Sequence, residues 1–276
     1  MGEVTEHSGE IEGLPVHWLA VEGPGTPTLH LHGVPNASEM WRPFLGPGAA
    51  LAPDLPGFGR SGKPGHFDYS LDGYVRFLER FLKLCAADTV SLVTHDWGTA
   101  FGLGFAQRFP TRVRRMVHIA GVPLLEGYRW HRLARAWRTP VLGELAMGMT
   151  SRPVLRLLSR EANAAPGPLP AAFIDEILSH FDPGTQRAIL RLYRGAPEDT
   201  LARAGSELGR VEAPALIVWG QRDPYIPASF AQAYADALPQ AQTLVLADAG
   251  HWPWLDVPDL PSRVQEFVAG GPDPAS

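Results

Sequence analysis

One stretch of the sequence restricts the possible folds more than any other, because a short turn in it joins a strand pattern to a helix pattern. The apolar, β-branched run Val90 to Val93 is typical of a buried strand. It continues through Thr94-His95-Asp96-Trp97-Gly98 into an apolar helical pattern that includes Phe101 and Phe105. Such a turn pushes the side chain at its apex, Asp96, above the edge of a sheet and in front of N–H groups at a helix start.

The rest of the chain alternates the same two patterns, which predicts right-handed crossovers and a mostly parallel sheet. Sites in such sheets lie beyond the carboxyl ends of the strands. The first two strands are expected to form an opening hairpin through the Gly/Pro turn at residues 23–25. The predicted strands are His17–Val21, Thr28–His32, Ala49–Ala52, Val90–Val93, Val113–Ile119, Ala215–Trp219 and Gln242–Ala247, and the predicted helices between them are Leu71–Leu84 (capped by Ser70), Ser229–Leu238 and Leu260–Phe267.

Between about Leu124 and Arg210 the sequence has no pattern typical of a strand, and helical segments separated by Pro and Gly follow one another. We interpret this block as a helical insertion that covers the active edge of the sheet. The predicted domains are therefore a core over 1–123, a helical cap over 124–210 and a second part of the core over 211–276, with a frayed tail from Gly270 to Ser276. The predicted cap helices are Trp130–Arg138, Leu142–Met149, Pro153–Glu161, Pro170–His180 and Gly184–Tyr193.

Composition excludes several classes of protein. The 276 residues are 45% hydrophobic and 19% charged, as in an ordinary globular protein with a full core. A net charge of −5 gives no basic footprint for nucleic acid or for an anionic membrane surface. The single cysteine, Cys85, precludes an internal disulfide and indicates a reducing compartment; we expect a buried, inert thiol. No signal peptide or membrane span is evident, so we expect a cytoplasmic protein.

Three residues with complementary chemistry each follow a predicted strand. Asp96 follows the predicted strand Val90–Val93, Asp223 lies in Gly220-Gln221-Arg222-Asp223-Pro224, and His251 lies in Gly250-His251-Trp252. An aspartate in a Gly/Pro turn is usually a turn former, and a single histidine near aromatic residues is usually a packing residue. Together, their order of nucleophile, acid and histidine matches a known catalytic arrangement.

Four motifs carry a resemblance to a family. His32-Gly33-Val34-Pro35, Asp54-Leu55-Pro56-Gly57-Phe58-Gly59-Arg60-Ser61, His95-Asp96-Trp97-Gly98 and Gly250-His251-Trp252 resemble the α/β-hydrolase fold superfamily, in its aspartate-nucleophile branch of epoxide hydrolases and haloalkane dehalogenases. The resemblance covers nearly the whole chain, and the helical insertion corresponds to the cap that decides substrate choice in that branch. No metal or organic cofactor is implied. A metal site at His30 and His32 is a weak alternative because a third ligand is missing.

An aspartate nucleophile suits attack on a saturated carbon, since a carboxylate needs no deprotonation near neutral pH. Attack would leave an alkyl-enzyme ester on Asp96. Water activated by His251, with Asp223 orienting the imidazole, would then hydrolyse this ester. By resemblance, the oxyanion hole consists of the backbone N–H groups of Val34 and Trp97.

The leaving group decides between epoxide hydrolysis, which we favour, and dehalogenation, the alternative. An epoxide oxygen needs a proton donor, and Tyr193 in Leu192-Tyr193-Arg194 resembles the cap tyrosine of epoxide hydrolases, although it also fits an ordinary apolar helix face. Epoxide hydrolases usually have a second cap tyrosine. Tyr128 is the one candidate for it, but the sequence does not align Tyr128 with that residue. A halide needs N–H donors: Trp97 is one candidate, but many related dehalogenases have asparagine where Val34 stands. Further candidates for leaving-group or substrate contact are Trp130 and Trp137, and Asn36 lies two residues beyond Val34.

Two other functional classes are consistent with the sequence. The fold also serves as a ligand-binding scaffold with little or no catalysis, and a serine esterase would need a serine at the turn that Asp96 occupies. The expected partners are a small apolar organic substrate and water, with the chain acting as a monomer or a homodimer.

Overall fold

A computed structural model describes residues 2–270. Its described part contains one eight-stranded sheet in the order β1-β2-β4-β3-β5-β6-β7-β8. The strand β2 is antiparallel to both of its neighbours, and the other pairs from β4 to β8 are parallel. The predicted mostly parallel α/β sheet is thereby confirmed. The strands are β1 (Val4–Ile11), β2 (Leu14–Val21), β3 (Thr28–Leu31), β4 (Ala50–Pro53), β5 (Val90–His95), β6 (Val113–Ile119), β7 (Ala215–Gly220) and β8 (Ala241–Leu246).

The predicted opening hairpin is wrong. β2 pairs with β1, which the sequence pattern did not reveal, and on its other side with β4, while β3 lies between β4 and β5. The turn between β1 and β2 is formed by Glu12 and Gly13, whose φ angles of 51° and 81° give the twist that a two-residue hairpin needs. β1 is an edge strand with mostly exposed or half-buried residues, so its sequence resembles a polar terminus.

The helices flank the sheet and fill the predicted insertion. The first helix spans Leu71–Leu84 as predicted, and the Ser70 hydroxyl accepts a hydrogen bond from the Gly73 N–H at 3.1 Å. Helices α3 to α8 lie within the predicted cap, whose limits at 124 and 210 stay predictions. The helices are α1 (Leu71–Leu84), α2 (Trp97–Arg108), α3 (Arg132–Arg138), α4 (Leu142–Gly148), α5 (Arg152–Leu158), α6 (Ala171–Ser179), α7 (Pro183–Arg194), α8 (Glu198–Ala204), α9 (Ser229–Ala237), α10 (Pro253–Asp256) and α11 (Leu260–Val268), with short 3-10 helices at Ser38–Phe44, Pro110–Arg112, Ser159–Glu161 and Leu208–Arg210.

The central strand β5 is buried along its whole length and divides the hydrophobic core in two. Its Leu92 belongs to the cluster that contains residues of α1 and α2. Its Val93 belongs to the opposite cluster, together with Val264 and Phe267 of α11. Because alternate residues of a strand point to opposite faces, helices on both sides hold β5 and fix the position of the turn at its carboxyl end.

Two further sequence predictions concern the ends of the chain. No helix among residues 2–270 is long and apolar enough to cross a membrane. All but the first residue of the predicted tail Gly270–Ser276 lies outside the described residues.

Candidate active site

Asp96 occupies the apex of the turn between β5 and α2, in a backbone conformation that side chains rarely adopt. Its φ and ψ are 50° and −120°. Two glycines make this turn possible: a Cβ on Gly98 would lie 2.1 Å from the Leu31 carbonyl oxygen, and one on Gly33 would lie 2.4 Å from Asp96 Oδ2. Strained conformations of this kind cost about 1–3 kcal/mol and persist where the surrounding fold imposes them. The strain turns the Asp96 carboxylate away from the sheet.

Backbone N–H groups hold the Asp96 carboxylate. The Val34 N–H donates to Oδ2 at 2.8 Å, and the Trp97 N–H also contacts the carboxylate. Burial raises the pKa of Asp96, whereas His251 and the two N–H groups favour the charged form and oppose that rise. The two N–H groups named from the sequence therefore both point at this carboxyl group.

His251 and Asp223 form a hydrogen-bonded pair, with His251 Nδ1 lying 2.8 Å from Asp223 Oδ2. The other carboxylate oxygen of Asp223 accepts the N–H groups of Tyr225 at 2.8 Å and Ile226 at 3.0 Å, so its orientation is fixed. Burial lowers the pKa of His251, but the negative charges of Asp223 and then of Asp96 outweigh burial and raise it above the ordinary value. Because Asp223 engages Nδ1, the other ring nitrogen is left for proton transfer.

The backbone of His251 is anchored on two sides. Its N–H donates to the Ala162 carbonyl of the helical insertion at 2.9 Å. Its carbonyl accepts from His95 Nε2 at 2.9 Å, and Tyr225 packs edge-on against its ring with centroids 5.1 Å apart. These contacts limit the movement of the imidazole relative to Asp96.

Asp96 and His251 line the same cavity, whose volume is about 160 Å³. The opposite wall comes from the helical insertion and is mostly apolar, with Leu133, Met147 and Leu155 among its residues. Asp96, Asp223 and His251, predicted from three separate strand ends, are thus assembled at one place. Besides His251, the aromatic and histidine side chains around this cavity are Tyr128, Trp130, His131, Trp137, Phe181, Tyr193, Tyr225 and Trp252.

Two tyrosines from the insertion face the same cavity as Asp96. Tyr193 and Tyr128 are both buried, and burial followed by the nearby Asp96 charge raises the pKa of each above its ordinary value. The Tyr128 hydroxyl has no hydrogen-bond partner within residues 2–270. The fold therefore brings Tyr128, which the sequence could not align, to the side of Tyr193.

The three candidate tryptophans differ in position. Trp97 is fully buried behind the cavity and does not line it. Its indole lies near enough to the Tyr193 oxygen to oppose the burial-driven rise in the pKa of that hydroxyl, yet its N–H makes no hydrogen bond within the described residues. Trp130 Nε1 donates to the Ala196 carbonyl at 3.1 Å, and Trp137 lines the cavity with its ring 5.1 Å from that of Tyr193.

Residues of the His32 loop make internal contacts. The Val34 side chain has no hydrogen-bond donor, and Asn36 accepts from Trp252 Nε1 at 3.1 Å without lining the cavity. His32 Nε2 accepts from the Leu55 N–H at 3.0 Å, while its Nδ1 contacts the Gly33 carbonyl at 2.9 Å. Among residues 2–270, no group of three or more His, Cys, Asp or Glu side chains is arranged to hold a metal ion.

Comparison with known proteins identifies the family. The family model described as "Alpha/beta hydrolase family" matches residues 29–261. The chain belongs to this family. It lies in the branch that resembles haloalkane dehalogenases and epoxide hydrolases, and it is an α/β-hydrolase enzyme.

Three relatives show the extent of the similarity to this α/β-hydrolase. A haloalkane dehalogenase of Mycolicibacterium paratuberculosis is 34% identical over 77% of the chain and 73% of the relative. Epoxide hydrolase 3 of Mus musculus is 25% identical over 87% of the chain and 70% of the relative. The crystal structure of a haloalkane dehalogenase from Bradyrhizobium elkani superimposes with a TM-score of 0.83 at 24% identity, covering 97% of the chain and 98% of that structure.

Several residues at the cavity of this α/β-hydrolase were not predicted from the sequence, among them His131, Tyr225 and Trp252. Of these three, only Trp252 lies in a motif that the sequence singled out. His131 and Tyr225 follow no strand in a recognisable motif, so only their aromatic character could have drawn attention to them.

Cys85 is half-buried at the end of α1 and does not line the cavity, and burial raises the pKa of its thiol to about 11.

Proposed function

We propose that this α/β-hydrolase cleaves its substrate through an ester on Asp96, and that its substrate is an epoxide. The observation that carries the first part is the Asp96 carboxylate, held by the Val34 N–H through one oxygen and sharing a cavity with the His251–Asp223 pair. The absence of a side-chain donor at Val34 and the presence of two buried tyrosines support the second part.

In the first step, the carboxylate oxygen that Val34 does not hold attacks a saturated carbon of the substrate. The carbon–oxygen bond of the epoxide breaks, and the ring oxygen takes a proton from Tyr193 or Tyr128. Since burial keeps both phenols protonated at neutral pH, either can donate. The products of this step are an alkyl ester of Asp96 and a β-hydroxyl group on the bound substrate.

In the second step, His251 takes a proton from water, and the hydroxide attacks the ester carbonyl carbon. The developing oxyanion lies in front of the Val34 and Trp97 N–H groups, which already contact the carboxylate in the free enzyme. Collapse of the intermediate releases a vicinal diol and restores the Asp96 carboxylate, and the proton taken up by His251 returns through solvent to the tyrosinate left by the first step. The imidazolium that forms on His251 is stabilised by Asp223.

The two-step route can be tested by trapping the ester. His251→Gln should accumulate it, because attack on carbon needs no base whereas hydrolysis of the ester does. Intact-protein mass spectrometry after incubation with 1,2-epoxyoctane should show a mass increase equal to the epoxide, located on the peptide containing Asp96. Asp96→Asn in the same background is the matched control and should show no adduct. An Asp96→Asn enzyme with full turnover would refute the proposal.

Isotope labelling gives a second test of the nucleophile. In a single turnover in ¹⁸O-labelled water, the diol should carry unlabelled oxygen, because its new oxygen comes from Asp96. Label should then appear in the Asp96 side chain. Direct appearance of the label in the first diol molecule would mean that water attacks the epoxide itself.

The role of the tyrosines is separable from that of Asp96. Tyr193→Phe and Tyr128→Phe should each lower diol formation, and the double variant should lower it most; removal of a general acid typically costs 10²–10⁴-fold. Tyr69→Phe is the control, because that hydroxyl donates to the Pro64 carbonyl away from the cavity. Normal epoxide turnover in the double variant would contradict proton donation by these residues.

A second candidate function is haloalkane hydrolysis, favoured by the buried, unpartnered indole N–H of Trp97 and by the similarity to the dehalogenase of Mycolicibacterium paratuberculosis. Both reactions share the Asp96 ester. Halide release from 1-bromohexane, together with diol formation from 1,2-epoxyoctane, separates them. Halide release that Trp97→Phe abolishes and that the double tyrosine variant retains would favour the dehalogenase. Stoichiometric binding of both compounds without turnover would instead indicate a ligand-binding homologue.

A further inference from the structure

His131 lies on the wall of the cavity that the helical insertion provides. It immediately precedes α3, and its ring packs between Tyr225, with centroids 5.1 Å apart, and Trp137, at 6.1 Å. Tyr225 in turn packs against the ring of His251, and Trp137 against that of Tyr193. A single aromatic ring therefore separates His131 from His251 on one side and from Tyr193 on the other.

The position of the proton on His131 follows from its contact with α3. The Ala134 N–H donates to His131 Nδ1 at 3.4 Å, so the imidazole caps the helix through an acceptor nitrogen. A neutral imidazole that accepts at Nδ1 carries its proton at Nε2. Burial, followed by repulsion from His251, lowers the pKa of His131 to about 4, so the ring is neutral at physiological pH.

The Nε2–H group of His131 has no protein acceptor within residues 2–270, its Nε2 atom is not fully buried, and the residue lines the cavity. Two other polar groups of this wall, on Thr150 and Ser159, are already engaged. The Thr150 hydroxyl donates to the Ala146 carbonyl at 3.1 Å, and the Ser159 hydroxyl accepts the Leu169 N–H at 3.2 Å. A polar N–H that faces an apolar cavity favours a ligand with an oxygen acceptor.

We propose that His131 Nε2–H is a polar subsite, which binds a carbonyl or ether oxygen that the substrate carries at a distance from its reacting carbon. This inference rests on the proposed function for the identity of the reacting group. It narrows the substrate class to epoxides with a hydrophobic chain that contains one hydrogen-bond acceptor. His131 acts in binding and selectivity, whereas proton donation to the leaving group is left to the tyrosines.

The test compares 1,2-epoxyoctane with analogues that carry a ketone at carbon 5, 6 or 7. One ketone position should raise kcat/KM in the wild-type enzyme by about fivefold over the plain alkyl epoxide, the usual value of one neutral hydrogen bond. His131→Asn should bring the ratio of kcat/KM for the preferred ketone to kcat/KM for 1,2-epoxyoctane close to one, because asparagine still caps α3 but its shorter side chain cannot place an N–H where Nε2–H lies. His131→Gln, which keeps an N–H donor of similar reach, should retain part of the preference.

Two results would overturn the proposal: a wild-type enzyme that prefers none of the ketones, or a His131→Asn enzyme with an unchanged preference. A binding measurement keeps the subsite testable if no epoxide is turned over, which would refute only the proposed function. By isothermal titration calorimetry, at least one of octan-2-one, octan-3-one and octan-4-one should bind the wild-type protein about fivefold more tightly than His131→Asn. If wild type and His131→Asn bind each of the three ketones with the same affinity, the proposed subsite is also wrong.

Discussion

Replacing Glu176 with glutamine should stabilise the protein at neutral pH. Glu176 lies on α6, and its Oε1 atom is buried without a hydrogen-bond partner in the described part of the chain. Burial, followed by the nearby negative charges of Glu39 and Asp54, raises the pKa of Glu176 to about 8. The side chain is therefore mostly protonated in the folded protein at pH 7.

The size of the effect follows from proton linkage. An unfolded glutamate has an ordinary pKa of 4.5 and loses its proton as the pH rises above that value, whereas the folded protein keeps the proton up to about pH 8. The folded state then binds more protons than the unfolded state, so stability falls between these two pH values. At pH 7 the accumulated cost is about 3 kcal/mol. Glutamine has nearly the same shape and no charge to lose, so the variant avoids this cost.

The free energy of unfolding should be measured by urea denaturation at pH 4.5, 6, 7 and 8. The stability difference between Glu176→Gln and wild type should be small at pH 4.5 and should grow to about 3 kcal/mol at pH 7, or roughly 6–9 °C in Tm. The adjacent Asp175 is the matched control, since it is exposed and paired with Arg152. Asp175→Asn should change stability by less than about 1 kcal/mol, in the destabilising direction. A pH-independent difference for Glu176→Gln would refute the reasoning.

Three further predictions concern the candidate active site. The pKa of His251, followed by NMR in the free enzyme, should lie above 6.5 and should fall in Asp96→Asn, which removes one of the charges that raise it. Hydrolysis of the ester should slow as pH falls through the pKa of His251, because the imidazolium cannot accept a proton; a rate that is flat across this range would contradict the role of His251 as base. Gly33→Ala should lower kcat/KM by about 100-fold, because its Cβ would lie 2.4 Å from Asp96 Oδ2 and would displace the proposed nucleophile. Gly48→Ala, whose Cβ would meet nothing within 4 Å, is the control in steady-state assays, and equal activity of the two variants would show that the displacement does not matter.

The sequence predicted those features of the fold that depend on local pattern. The buried run before Asp96 and the helical pattern after it indicated the turn, because a strand and a helix differ in the spacing of their apolar residues. Repetition of this alternation indicated the parallel sheet. The sequence did not predict the pairing of β1 with β2, because an exposed edge strand has no apolar repeat to distinguish it from a polar terminus.

At the candidate site, the sequence by itself identified the candidate catalytic groups. Asp96, Asp223 and His251 each follow a strand, and parallel strands bring their carboxyl ends to one edge of the sheet, so their meeting could be foreseen. Their roles in catalysis stay predictions that the proposed experiments test.

Only the tertiary structure decided which side chains of the insertion face these residues. It brings Tyr128 beside Tyr193 and exposes His131 to the cavity, whereas it occupies the N–H of Trp130 and buries Trp97 behind the wall. The helices of the insertion carry apolar residues on more than one face, so periodicity alone does not reveal which face packs on the sheet and which lines the cavity. That choice depends on how α3 to α8 pack against one another and against the core, through contacts between residues far apart in the sequence.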